Sequence, residues 1–142
     1  EKQIVLENRV GDMPLMADAN MTRAILRNLL SNAIKFTPAG GRIVIDGMMM
    51  EGWAEISVSD NGIGMTTEHA NMLFAMDTNR STPGTEGELG TGLGLLLCKE
   101  YVTCHGGQIE VSSQPGQGTT FRFTLPLAHS QSLPATTREK TA

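Results

Sequence analysis

The sequence predicts a two-layer α/β sandwich, in which a mixed, mostly antiparallel sheet is covered on one face by three helices. Three observations carry that expectation. Several segments alternate apolar and polar residues strictly, so each strand buries one face only. One long segment carries a broad apolar stripe at helical spacing, suited to lie on a sheet. Two further helical segments can complete the covering layer. At 142 residues the chain makes one domain with a short tail, and its 39% hydrophobic content supplies a modest core. Aromatics make up only 4%, which predicts a core of Leu, Ile, Val and Met.

Residues 3–10 read as a strand, and residues 14–17 as a shorter second candidate. The chain starts without Met and inside the first strand, which points to a piece of a larger protein. Asp18 suits the N-cap of a helix running to about Phe36. Its apolar stripe is Ile25, Leu26, Leu29, Leu30, Ala33 and Ile34, and Thr37-Pro38-Ala39-Gly40-Gly41 stops it. Residues 42–50 and 53–60 form a hairpin pair with Glu51-Gly52 at the turn. In the second of them Ala54, Ile56 and Val58 alternate with Glu55, Ser57 and Ser59. A short helix follows Thr66-Thr67 and ends near Phe74. Residues 77–88 hold no large apolar side chain, which predicts a mobile loop. A third helix runs from Gly92 to about Cys104, stopped by His105-Gly106-Gly107. Ile109 and Val111, then Phe121, Phe123 and Leu125, mark two closing strands by period two. From Ala128 the chain is polar and unpatterned, so residues 1–127 make the domain and 128–142 a disordered tail or linker.

Composition excludes several classes. The net charge is −4 and the pI about 5.3, with no basic patch, so no nucleic-acid partner is expected. No stretch is long and apolar enough to span a membrane and none reads as a signal peptide, so no membrane contact by this domain is expected. Cys98 and Cys104 fall on separate faces of one helix, which argues against a disulfide and for a reducing, cytoplasmic setting. The run Met48-Met49-Met50 is read as core or sheet packing rather than as a metal site.

Three motifs carry chemistry. On the first helix Asn28, Asn32 and Lys35 fall within roughly 60° of one another, away from the apolar stripe. Two amide oxygens so placed can face one hard cation such as Mg2+, which keeps several waters and takes few protein ligands. The same three residues alone equally describe a solvated helix face. Next, Asp60-Asn61-Gly62-Ile63-Gly64 ends a strand. A carboxylate there can accept from the amino group of adenine, where guanine presents an oxygen. Gly62 and Gly64 allow a close backbone approach to a planar base. Alone, the motif also fits an ordinary turn. Finally, Gly90-Thr91-Gly92-Leu93-Gly94-Leu95 opens a helix whose free N–H groups favour an anion. It is neither a Walker loop nor a dinucleotide fingerprint, and alone it reads as readily as a hinge. In this order over about seventy residues, the motifs together predict an ATP site.

With these motifs the chain resembles the ATP-binding catalytic domain of sensor histidine kinases, in the GHKL superfamily (gyrase, heat-shock chaperone ATPases, histidine kinases, MutL), over residues 3–127. Residues 28–36 look like the N box, 60–64 the G1 box, Phe74 the F-box position and 90–94 the G2 box. Residues 105–126, from His105-Gly106-Gly107 to Phe123-Thr124-Leu125-Pro126, look like the kinases' terminal hairpin. The resemblance implies a Bergerat fold. It implies that Asn32, with Asn28, holds Mg2+, that Lys35 touches phosphate and that Asp60 reads the adenine amino group. Phe36, Gly62, Gly64, Met65 and Phe74 would line the nucleotide site, as would Gly90, Thr91, Gly92, Leu93, Gly94 and Leu95. Thr119 would support the adenine through its hydroxyl, and residues 77–89 would be the ATP lid.

Two departures stand out. Asp77 occupies the place where the F box usually has a second aromatic, leaving Arg80 as a weak stand-in for its Arg. None of the three histidines (His69, His105, His129) lies in a phosphoacceptor context, and His105 in its Gly-rich turn is expected to be structural. In the superfamily's ATPases a Glu four residues before the metal-binding Asn activates water; here that position is Asn28, which takes no proton. A site without its own base suits a nucleophile brought from elsewhere. The expected function is therefore transfer of the ATP γ-phosphoryl group to a histidine on a separate dimerisation domain of the parent protein. A response-regulator receiver aspartate would take it next. The alternatives are an ATPase clamp and a non-catalytic nucleotide-sensing module. The domain itself is expected in the cytoplasm, with membrane anchoring of the parent left open.

Overall fold

The computed structural model describes residues 3–74 and 94–128. Its elements are β1 (Val5–Asn8), α1 (Ala19–Phe36), β2 (Arg42–Met50), β3 (Trp53–Asp60), α2 (Thr67–Asn71), α3 (Gly94–Cys104), β4 (Ile109–Gln114) and β5 (Gly118–Pro126). The five strands form one sheet in the order β1-β2-β3-β5-β4. Only β1 and β2 pair in parallel; the other three pairs are antiparallel. Helices and sheet share a single hydrophobic cluster. This is the expected α/β sandwich.

The buried face follows from alternation and register together. Ala54, Ile56 and Val58 of β3 stand opposite Leu125, Phe123 and Phe121 of β5, and all six are buried. The next pair in the same row is Asp60 and Thr119, also buried but polar. The core row thus ends in a polar pair at one end of the sheet, and that pair locates the candidate site.

Local chemistry sets the helices. Asp18 caps α1, its carboxylate accepting from the Met21 N–H at 2.8 Å. The N–H of Asp18 donates in turn to Nε2 of His105 at 3.0 Å, while Nδ1 of His105 lies 2.8 Å from the Tyr101 carbonyl. A carbonyl only accepts, so Nδ1 carries the proton and Nε2 is free to accept. This one tautomer ties the start of α1 to the end of α3, the structural role expected of His105. Cys98 is buried in α3 with its thiol 3.6 Å from the Ile25 carbonyl, and burial pushes the thiol up to about 12. Cys104 is exposed and both cysteines are free, as expected.

Several expectations need correction. The first strand covers only Val5–Asn8, and residues 14–17 contribute a single bridge, Leu15 to Leu127, rather than a strand. Ile34 is 46% exposed, because at 100° per residue it has rotated past the stripe centred on Ile25, Leu29 and Ala33. Phe121 and Phe123 are the largest fully buried side chains, so two of the six aromatics sit at the centre of the core. Met48, Met49 and Met50 are exposed instead: Met48 and Met50 stand opposite Glu55 and Trp53 on the row that faces away from the cluster, and Met49 lies on the inward row beyond Ile43 and Ile45, the residues β2 contributes to it.

Candidate functional site

Asp60 closes β3 as expected, with Oδ1 accepting from the Gly62 N–H at 2.8 Å. Burial raises its carboxyl above the usual 3.8, and the N–H groups of Gly62 and Thr119 partly counter this by favouring the charge. The carboxylate is therefore an acceptor held in a partly desolvated place, where a matching donor is worth most.

The segment after Asp60 is fastened on both sides. The Ile63 N–H donates to the Phe36 carbonyl at the end of α1 (3.1 Å), and the Gly116 N–H donates to the Ile63 carbonyl from the β4–β5 turn (2.7 Å). Asn61 Oδ1 accepts from the Arg42 N–H at 2.8 Å. These contacts give the glycines a reason different from the close approach to a base expected from sequence. A Cβ on Gly62 would lie 2.2 Å from the Phe36 carbonyl oxygen. Gly64 has φ +68° and a Cβ there would lie 1.9 Å from the Gln114 carbonyl oxygen. The glycines let three backbone segments meet.

Sequence reading missed Ser113. Its hydroxyl accepts from the Met65 N–H (3.0 Å), reaches the Gly118 carbonyl (3.0 Å) and lies 2.7 Å from the Thr119 hydroxyl. A signal was present. Ser113 continues the inward row of Ile109 and Val111, and Asp60 and Thr119 likewise continue apolar rows. Three polar residues thus fall on inward rows at the same end of three adjacent strands.

The second cluster is built on α1. Asn28 is half-buried and its amide nitrogen donates back to the Ala24 carbonyl at 2.9 Å, with Oδ1 facing the start of α3. That oxygen abuts the first residue of α3: a Cβ on Gly94 would lie 2.8 Å from it. Asn32 and Lys35 are half-buried on the same helix face, and Lys35 Nζ lies 5.0 Å from the centre of the Phe36 ring. Phe74 packs edge-on against Phe121, with ring centres 6.3 Å apart, and Leu95 packs on the core. Eight residues of helix separate Asn28 from Phe36, about 12 Å. The helix therefore joins the asparagine cluster to the Asp60 segment. Gly90, Thr91, Gly92, Leu93, Asp77, Arg80 and His129 lie outside the described residues. Among the described residues no group of three or more His, Cys, Asp or Glu could hold a metal ion. An open groove of about 580 Å³ lined by Arg23, Leu26, Arg27, Leu30, Ser31 and Ile34 lies on a different face of α1.

The chain is similar to known proteins. Residues 17–129 match the family described as histidine kinase-, DNA gyrase B- and HSP90-like ATPase. The adaptive-response sensory kinase SasA of Synechococcus elongatus is 38% identical over 129 residues, covering 89% of this chain and 33% of that protein. The non-motile and phage-resistance protein of Caulobacter vibrioides is 40% identical, over 80% of this chain and 14% of its own length. The chain thus spans a third or less of these two relatives. The structure of the mycobacterial sensor histidine kinase MprB superposes with a TM-score of 0.74 at 31% identity, covering 87% of this chain and 82% of that one. Full-length ShkA, solved in complex with AMPPNP, gives 0.72 at 30% identity over 88% of this chain and 26% of its own. The chain belongs to the family of histidine kinase-, DNA gyrase B- and HSP90-like ATPase domains.

Proposed function

We propose that residues 1–127 form the Mg-ATP-binding catalytic domain of a two-component sensor histidine kinase. In the parent protein it transfers the γ-phosphoryl group to a histidine on a separate dimerisation domain, for relay to a receiver-domain aspartate. The tail or linker expected over residues 128–142 lies, from His129 onward, outside the described residues. The observation that carries this reading is the buried acceptor Asp60, fastened to the end of the same helix that presents Asn28 and Asn32.

Ionised Asp60 accepts from the C6 amino group of adenine, and a C6 carbonyl at that place would meet like polarity. Phe36 and Phe74 flank the base. Asn28 and Asn32 fit the cation by their chemistry, since a hard oxygen-seeking ion with retained waters needs few protein ligands. Asn28 and Asn32 would hold the Mg2+, which when bound would supply positive charge against the charge that develops on transfer. Lys35 adds a second positive group. Neither asparagine can remove a proton from water, so the domain positions the triphosphate and leaves the nucleophile to a histidine of another domain. No described helix is long and apolar enough to cross a membrane, in keeping with a cytoplasmic catalytic domain.

The test mixes this chain with the histidine-bearing domain of its parent and ATP labelled at the γ position. Acid-labile, base-stable label on the other domain is expected, with little phosphate release by this chain alone. Robust steady-state hydrolysis by the isolated chain would point to an ATPase clamp. Nucleotide binding without label transfer would point to a sensor.

A further inference from the structure

We infer that Asn61 is a positioning residue for the base site, its side chain completing the strand ladder so that the backbone can leave the sheet directly after Asp60; this rests on the adenine-reading role proposed for Asp60. β2 and β3 pair antiparallel, with Ile43 opposite Asp60. One step further the partners are Arg42 and Asn61. In such a ladder every second pair exchanges two N–H···O=C bonds. Arg42 and Asn61 do exchange two bonds, but only one of them joins backbone to backbone. The Asn61 N–H donates to the Arg42 carbonyl at 3.2 Å. The return bond, from the Arg42 N–H at 2.8 Å, ends on Oδ1 of Asn61 instead of on its main-chain carbonyl. An amide side chain thus takes the place of one backbone carbonyl.

That exchange decides where the next peptide points. In a trans peptide the carbonyl of one residue and the N–H of the next face opposite ways. Had the Asn61 carbonyl accepted from Arg42, the Gly62 N–H would point away from β2, within the plane of the sheet. With Oδ1 taking that bond, the peptide is free to turn. The Gly62 N–H then donates to Oδ1 of Asp60 at 2.8 Å, and the Ile63 N–H reaches the Phe36 carbonyl at 3.1 Å. Asn61 is held closely by backbone on two sides. A Cβ on Gly41 would lie 3.0 Å from its Oδ1, and a Cβ on Gly118 would lie 2.9 Å from its Cα. Asn61 therefore fixes the donor that orients the Asp60 carboxylate, without any need to touch the nucleotide.

Titration calorimetry with Mg-ATP across a range of pH, on the full 142-residue chain, tests this. Asn61→Val removes the acceptor and favours a continued strand. It is expected to lower ATP affinity about three- to tenfold at neutral pH, with the fold intact by circular dichroism. Binding should also fail at a higher pH on acidification than in wild type, because withdrawal of the Gly62 N–H disfavours the charged carboxylate. A merely structural role for Asn61 would not move that profile. In an Asp60→Ala background, adding Asn61→Val is expected to cost nothing further, since the residue acts through the carboxylate already removed. Wild-type affinity in Asn61→Val, an unmoved pH profile, or an equal loss in the Asp60→Ala background overturns the inference. If Asn61→Val does not fold, Asn61→Ala carries the same readouts, and the same results are fatal there. Wild-type chain that binds no nucleotide, or an Asp60→Ala variant that binds like wild type, would overturn the base site itself, a result distinct from either outcome at Asn61.

Discussion

Replacing Asp60 by Asn separates what the site needs from what the fold needs. The carboxylate is buried, accepts at 2.8 Å from the Gly62 N–H, and has its pKa raised above the usual 3.8, chiefly by desolvation. A carboxyl raised on folding adds stability only below its unfolded value, and that contribution is lost as pH rises through the folded one. At neutral pH the wild-type domain therefore carries a buried charge at a net cost. The amide introduced by Asp60→Asn would keep an oxygen for Gly62 and remove the charge. The empty variant is expected to be at least as resistant to urea as wild type at pH 7, with the difference shrinking as pH falls toward 3.8. Nucleotide binding should move the other way. A hydrogen bond to a charged acceptor contributes about 1.5–3 kcal/mol, so ATP affinity should fall on the order of ten- to a hundredfold. Urea melts at two pH values and calorimetry with Mg-ATP read both quantities. A variant that loses stability at pH 7, or that binds ATP like wild type, refutes the assignment of Asp60 as a base-reading acceptor rather than a structural one.

Three further outcomes follow from the geometry. Asn32→Ala, a half-buried change on a helix face, should shift the melting temperature little while abolishing Mg-dependent phosphoryl transfer; normal transfer would remove Asn32 from the cation site. Gly94→Ala places a methyl 2.8 Å from the amide oxygen of Asn28. It should weaken Mg-ATP binding tenfold or more with an intact fold by circular dichroism, and unaltered affinity would deny Asn28 its role. His105→Ala breaks the link between Asp18 and Tyr101 and should destabilise by about 1–3 kcal/mol in urea melts. It should leave label transfer unchanged at temperatures where the variant is folded, whereas lost transfer from a folded variant would give His105 a part in the chemistry.

Elements with strong local pattern are legible in the amino-acid sequence itself. The N-cap Asp18, the hairpin 42–60 and the alternation of β3 and β5 lie where the residues place them, because each is decided by near neighbours. What is not legible depends on partners far along the chain. Whether Met48 to Met50 pack or stand free is set by which face of the sheet the helices cover and by how far β2 contributes to the cluster, which no local window records. The centrality of Phe121 and Phe123 comes from position in the sheet rather than abundance. Asp60, Asn28 and Asn32 stand out because nucleotide chemistry names those residue types. Ser113 does not, because serine in a strand is ordinary until its register against Thr119 is known. The glycines after Asp60 advertise the right flexibility but not the backbone crossings that require it.

Helix α1 also behaves as a ruler. One end is stapled through the Phe36 carbonyl to the Asp60 segment, and Asn28 presses against the start of α3 about two turns earlier. The span between the end that grips a base and the end that faces a cation is thus set by a stiff rod rather than by a hinge. A ligand too short to reach both marks engages only one of them. The benefit of magnesium should therefore grow stepwise from AMP through ADP to ATP, and one residue inserted between Asn28 and Phe36 would swing the amide oxygens by about 100° and disconnect the two ends.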